Sequence, residues 1–373
     1  MIIGVPKEIK NHEYRVGLTP ASVRELVQRG HCVVVETQAG AGVGFSNDHY
    51  VKAGATIAAS AAEVFETAQM IVKVKEPQPQ ECALLRENQI LFTFLHLAPD
   101  PVQAKGLVAS GCVAIAYETV TDHWGGLPIL TPMSEVAGRM SIQVGAWMLE
   151  KSQGGAGVLL GGVPGVMPSK VTIIGGGVVG TNAARMAVGM GADVTLIDKS
   201  LHRLNELDAQ FSGRLKTLYS TAESIEQSVL DSDLVIGAVL VVGASAPKLV
   251  TRSMVSKMRP GSVLVDVAID QGGCFETSRP TSHANPSFEI DGVLHYCVTN
   301  MPGAVARTST FALNNATLPH VIALAHKGYE QALADNVHLK NGLNVCHGHI
   351  TYAAVAEALD LPFQDPDVAL RKH

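Results

Sequence analysis

One segment restricts the fold of this chain more than any other. The buried-strand run Val171-Thr172-Ile173-Ile174 leads into Gly175-Gly176-Gly177-Val178-Val179-Gly180, then into the helix-compatible Thr181-Asn182-Ala183-Ala184-Arg185-Met186-Ala187. Strand, Gly-x-Gly-x-x-Gly and helix in that order make the first turn of a βαβ unit that receives a dinucleotide. Gly175 allows the tight turn, Gly177 lets the backbone approach a pyrophosphate, and Gly180 lets helix and strand pack closely. The helix N-terminus, with its unpaired amides and dipole, then favours the anion. The next apolar run ends Thr195-Leu196-Ile197-Asp198 and sets a carboxylate about 20 residues past the glycines, where it accepts from a ribose 2′-hydroxyl and repels a 2′-phosphate. The expected cofactor is NAD rather than NADP, with Lys199 and Arg203 as the nearby cations that could partly accommodate an extra phosphate.

A chain of 373 residues exceeds what one hydrophobic core usually holds, which implies two domains. Short β-rich runs alternate with helical patterns, as in parallel sheets covered by helices. In the first third the strand-like runs are 2–5, 32–36, 70–75, 90–95 and 112–117. Helices are expected after Thr19-Pro20, Ser60 and Asp100-Pro101. Met140, Val144, Trp147 and Met148 share one face of a helix starting near Ser134-Glu135 and connecting the domains. The glycine-rich stretch 154–168 lacks the Gly-x4-Gly-Lys-Ser/Thr order and is expected to be a surface connection. Strands follow at 171–174, 193–197, 234–238, 263–267 and 294–298, and a helix after Pro302-Gly303. The closing segment has too few strand signals to stand alone and is expected to pack back on the first domain. The expected fold class is α/β, with two Rossmann-like, doubly wound parallel-sheet domains and a cleft between them.

The formal charge of −6 comes without a block of lysines or arginines, which argues against a nucleic-acid or anionic-membrane partner and for a small molecule. The most apolar run, 234–246, is too short to span a bilayer, and the start lacks the pattern of a signal peptide, so a cytoplasmic location is expected. Six scattered cysteines without a Cys-x-x-Cys pair are expected to be reduced. Cys346-His347-Gly348-His349 has no matching second cluster, so no metal site is expected.

In open parallel sheets ligands bind outside the carboxyl ends of the strands. Arg15 lies in the loop after the first strand, Lys75 ends the 70–75 run and His96 follows 90–95; if these strands are neighbours, the three share one rim. A guanidinium holds a carboxylate bidentately, an ammonium binds or polarises a carbonyl, and an imidazole moves protons near neutral pH, a set suited to a 2-oxo or 2-amino acid. Each has a plain structural alternative: a solvated Arg15–Glu13 loop pair, an exposed strand end shared by Lys73 and Lys75, and a core histidine. Asp270, just past the run 263–267, suits proton exchange with a reacting centre or a simple turn.

These motifs together resemble the alanine dehydrogenase family, which shares a superfamily with the transhydrogenase N-terminal part. The resemblance rests on Gly4-Val5-Pro6-Lys7-Glu8, Glu13-Tyr14-Arg15-Val16, Val74-Lys75-Glu76-Pro77, Leu95-His96-Leu97 and Met133-Ser134-Glu135-Val136-Ala137-Gly138-Arg139. It continues through the glycine motif, Asp266-Val267-Ala268-Ile269-Asp270-Gln271-Gly272-Gly273 and Asn300-Met301-Pro302-Gly303. It implies a substrate domain of residues 1–130 completed by 304–373 around an NAD domain at 131–303, assembled as a homohexamer. It also implies reversible conversion of L-alanine, NAD and water to pyruvate, ammonium and NADH. On this resemblance Arg15 and Lys75 hold the substrate, and His96 and Asp270 transfer protons. Ser134, Val178, Val179, Asp198, Arg203, Ser220, Val239, Leu240, Val267, Ala268, Ile269, Asp270, Arg279, Val298, Thr299, Asn300 and Met301 line the NAD site with Gly175, Gly177 and Gly180. A transhydrogenase-type nucleotide module and a saccharopine-type dehydrogenase are the competing readings. The presence of Arg15, Lys75, His96 and Asp270 together favours the alanine-type enzyme over the first, whereas the second differs in acting on larger substrates.

Overall fold

Helix starts in this chain are written in short polar side chains. Thr19 accepts from the Ser22 amide with Pro20 at the first helical position, Ser60 accepts from the Glu63 amide, and Asp100 accepts from the Gln103 amide with Pro101 following. Between these capped helices, apolar runs form strands. The computed structural model describes residues 1–239 and 246–371, and the chain divides into one unit of Met1–Met133 with Val305–His373 and a second of Ser134–Ala304.

The first unit contains β1 (Ile2–Val5), β2 (Cys32–Glu36), β3 (Thr56–Ala58), β4 (Met70–Val72), β5 (Ile90–Thr93) and β6 (Val113–Ala116). They lie parallel in the order β6-β5-β4-β1-β2-β3. The winding therefore reverses between β1 and β4, the type of point at which doubly wound sheets bind ligands. The closing segment supplies two further strands that its sequence does not announce: Leu343–Cys346, antiparallel to β6, and His349–Ile350. His347 and Gly348 form the two-residue turn between them, both at positive φ. The Cys-His-Gly-His run is thus a hairpin. One core packs Val64, Phe65 and Leu107 against Ile71, Leu91 and Ala114 of the sheet and Val345 of the added strand; burying each of the large side chains stabilises the unit by about 1.5–3 kcal/mol.

The runs expected at 70–75, 90–95 and 112–117 are shorter in the structure, ending at Val72, Thr93 and Ala116. Past those points single bonds continue, such as Phe94 N–H to the Val74 carbonyl at 3.2 Å. Val74, Phe94 and Leu95 remain buried, which is why their apolar pattern reads as more strand.

The second unit contains β7 (Lys170–Ile174), β8 (Asp193–Asp198), β9 (Lys216–Tyr219), β10 (Leu234–Gly237), β11 (Val263–Asp266), β12 (Ser287–Ile290) and β13 (Val293–Tyr296). Their order is β12-β13-β11-β10-β7-β8-β9, parallel except for the edge strand β12. The parallel part has the dinucleotide-binding order, reversing between β7 and β10. Each sheet is therefore mixed rather than purely parallel. The helix Thr131–Met148 starts three residues before Ser134, and the unit boundary falls inside it. No helix among the described residues is long and apolar enough to cross a membrane.

Candidate active site

The first unit brings Arg15, Lys75 and His96 to one rim, because they follow β1, β4 and β5, which are adjacent and parallel. Gly17 holds the loop after β1 against the end of β4: a Cβ there would lie 2.3 Å from the Val72 carbonyl oxygen, a distance no side chain tolerates. Arg15 is 2% exposed, and Glu13 grips it bidentately, Nε to Oε1 at 2.7 Å and Nη2 to Oε2 at 2.6 Å. Its third nitrogen, Nη1, lies 3.2 Å from Met133 Sδ. The solvated loop pair is therefore excluded. Lys75 is half-buried, three residues beyond β4, with its own carbonyl accepting from the Thr93 hydroxyl at 2.9 Å.

His96 is not a core histidine. Its side chain is 47% exposed, and its backbone is left-handed with φ of 48°. Its ring lies parallel to that of Phe94, with centroids 5.7 Å apart. Glu118, just past β6, receives the His96 amide at 2.6 Å and the Leu95 amide at 3.2 Å, while His96 Nδ1 is 3.9 Å from Glu118 Oε1.

Lys73 is no part of an exposed strand end, the plain alternative for this stretch. It is fully buried and bonds Glu81 at 2.7 Å and Glu8 at 3.2 Å. Burial opposes its charge, but the two carboxylates more than offset this and hold its pKa above the ordinary lysine value; burial raises that of Glu8 against the pull of Lys73.

In the second unit the glycine turn has the geometry a dinucleotide needs. Gly175 has φ of +105°, and a Cβ on Gly180 would sit 1.8 Å from the Gly175 carbonyl oxygen, so only glycine allows the helix Val178–Gly189 to start this close to β7. A Cβ on Gly177 would meet nothing within 4 Å, and no side chain caps this helix. Its N-terminal amides can therefore receive a pyrophosphate. Asp198 ends β8 and accepts from the Gly176 amide at 2.7 Å and the Ser200 amide at 2.8 Å. Each of its oxygens retains a second lone pair for a ribose hydroxyl.

Arg203 is tied across this turn, Nε to the Gly176 carbonyl at 2.7 Å, Nη2 to the Thr181 hydroxyl at 2.7 Å and Nη1 to Glu206 at 2.6 Å. It thereby braces the glycine loop.

The other expected residues gather at the carboxyl ends of strands: Ser220 after β9, Val239 after β10, Val267, Ala268, Ile269 and Asp270 after β11, and Val298, Thr299, Asn300 and Met301 after β13. Ser134 lies one helical turn before Gly138, where a Cβ would be 2.2 Å from the Val179 carbonyl oxygen, so this helix face meets the start of the glycine-loop helix. Arg279 follows Ser278, whose hydroxyl donates to Asp266 at the end of β11, and its guanidinium lies 4.2 Å over the Phe288 ring on β12. Leu240 lies outside the described residues.

Asp270 is exposed in the short helix Val267–Gln271 directly after β11. Beneath it is a second, buried carboxylate. Asp266 accepts from the Cys274 amide at 2.8 Å, the Phe275 amide at 3.3 Å and the Ser278 hydroxyl at 2.5 Å, and thereby closes the loop carrying Asp270. Burial pushes the Asp266 pKa up against those hydrogen bonds.

Comparison with known proteins is consistent along the whole chain. Residues 4–137 match the alanine dehydrogenase/PNT N-terminal domain, and residues 141–353 match the alanine dehydrogenase/PNT C-terminal domain. The chain is 63% identical to an alanine dehydrogenase of Halomonas elongata, covering 97% of this chain and 98% of that protein. Among solved structures, an L-alanine dehydrogenase superposes with a TM-score of 0.94 at 55% identity over 96% of this chain and 99% of the other. A transhydrogenase from Sinorhizobium meliloti gives 0.81 at 25% identity over 95% and 100%.

Proposed function

The chain belongs to the alanine dehydrogenase/PNT family, and we propose that it catalyses the reversible NAD-dependent oxidative deamination of L-alanine to pyruvate and ammonium. The observation carrying this reading beyond family membership is the joint placement of Arg15, Lys75 and His96 at the ends of three adjacent parallel strands. The higher identity to alanine dehydrogenase than to the transhydrogenase, 55% against 25% among these structures, favours the amino-acid enzyme over a nucleotide module.

Arg15, fixed by Glu13, holds the substrate carboxylate, and Lys75 holds or polarises the carbonyl oxygen of pyruvate. Bound NAD would supply the hydride acceptor, held by the helix amides after Gly177 and by Asp198. Loss of hydride from the alanine Cα leaves an imine on the substrate, water adds to give a carbinolamine, and ammonia departs. His96 and Asp270 exchange the protons these steps require. The first unit is then the substrate domain, the second the NAD domain, and the working assembly a cytoplasmic homohexamer.

Coenzyme choice tests the nucleotide half. Asp198→Ala is expected to weaken NAD use and to improve relative use of NADP, because the hydroxyl acceptor and the repulsion of a 2′-phosphate disappear together. Initial rates with both coenzymes measure this, and an unchanged NAD/NADP ratio would place Asp198 away from the ribose.

A further inference from the structure

Two loops of the first unit, after β1 and after β4, carry the side chains assigned to the substrate, and they are stitched together on both sides of Lys75. Glu8 lies three residues beyond β1. One of its carboxylate oxygens accepts the Val74 amide at 2.7 Å, and the other meets Lys73 Nζ at 3.2 Å. Glu8 thus grips the backbone and side chain of the two residues immediately before Lys75. On the far side, Lys10 of the same β1 loop pairs with Glu76.

Lys73 is in turn anchored from below. Glu81 takes its ammonium at 2.7 Å and uses its other oxygen to accept the Gln78 amide at 2.8 Å, while the Tyr117 hydroxyl donates to the Lys73 carbonyl at 2.9 Å. Glu8, Lys73 and Glu81 are all buried. A buried ion cluster of this kind contributes little net stability compared with apolar packing, so its presence calls for another use, such as fixing a geometry.

We propose that Glu8 and Lys73 are positioning residues that set the spacing of Lys75 from Arg15, and so the fit of the substrate's carboxylate and carbonyl oxygen between them. This rests on the substrate assignment of Arg15 and Lys75 above. Neither Glu8 nor Lys73 touches substrate; each acts through Lys75. The cluster has two carboxylates for one ammonium, so neutralising Glu8 while keeping its shape leaves Lys73 and Glu81 as a balanced pair.

The test compares Glu8→Ala, Glu8→Gln and Lys75→Ala, alone and combined, with pyruvate and NADH kinetics and a separate NADH titration. Glu8→Ala is expected to lower kcat/KM for pyruvate by about ten- to hundredfold, the scale of a misplacement of order 1 Å, with NADH affinity unchanged. Glu8→Gln, whose amide oxygen still accepts from Val74 N–H while its NH2 group no longer accepts from Lys73, should recover part of that loss. In the Lys75→Ala background Glu8→Ala should cost little more, since the residue it positions is gone.

An equal loss in both backgrounds, or wild-type pyruvate kinetics in a folded Glu8→Ala protein, overturns the proposal. If Glu8→Ala does not fold, Glu8→Asp, shorter by one methylene, reads the same displacement under the same criteria. Normal pyruvate kinetics in Lys75→Ala itself would instead remove the substrate assignment, and the two failures are thereby distinguished.

Discussion

Asp270→Asn is expected to fold, to bind NADH as the unsubstituted protein does, and to lose about two to four orders of magnitude in turnover, the range of a lost general acid–base group. The amide keeps the shape of the side chain and removes its charge and its capacity to take a proton. The surrounding loop does not depend on Asp270 for its closure: Asp266 holds the Cys274 and Phe275 amides, and the Gln271 carbonyl accepts from the Ala246 amide at 2.9 Å. A large rate loss would therefore report chemistry rather than local unfolding. Near-wild-type turnover with asparagine at 270 would mean that the residue only shapes the turn and that His96 handles the protons alone.

Arg15→Ala is expected to damage two properties at once. It strips the guanidinium from a buried bidentate pair and so removes that counter-charge from the Glu13 carboxylate, a loss of about 3–5 kcal/mol of stability; it also removes the group assigned to the substrate carboxylate. Adding Glu13→Gln separates the two effects, because the double variant no longer buries the carboxylate whose guanidinium counter-charge was removed. Its urea midpoint should recover while its pyruvate KM stays high. Lys75→Ala, at a half-buried site, should raise the pyruvate KM with little change in stability. NADH fluorescence titration should be nearly unchanged in all three. A large loss of NADH affinity in Lys75→Ala, or pyruvate binding that returns with stability in the double variant, would contradict the assignment.

The parts of the site legible in the sequence are those that local covalent geometry dictates. A turn that needs Gly175 at positive φ and Gly180 against a carbonyl is specified by residues within the motif, and Asp198 follows from the length of one βα repeat. Arg15, Lys75 and His96 stand out in the sequence as polar residues beyond apolar runs. Their common rim depends on the order β5-β4-β1, which alternating patterns alone do not determine.

What is not legible in the sequence depends on distant partners. Lys73 is buried because Glu8, 65 residues earlier in the chain, and Glu81 meet it there; by itself a lysine two positions from another reads as solvated. Glu118 matters to His96 only because β6 lies beside β5. Asp266 ends an apolar strand, where its burial is invisible without the loop that folds back over it. The strands Leu343–Cys346 and His349–Ile350 are short, and only the pairing of the first with β6 ties them to the sheet, over a long range, so no periodicity marks them. The connecting helix begins at Thr131 rather than Ser134, within the usual uncertainty of a helix start.

Initial-rate formation of NADH by the purified protein on addition of L-alanine and NAD, with glycine, L-serine and NADP as controls, tests the central claim most directly. L-alanine with NAD is expected to give turnover exceeding each control by at least about tenfold, the discrimination a pocket achieves for one small group. No NADH formed from L-alanine, with faster hydride exchange between nicotinamide nucleotides alone, would contradict it.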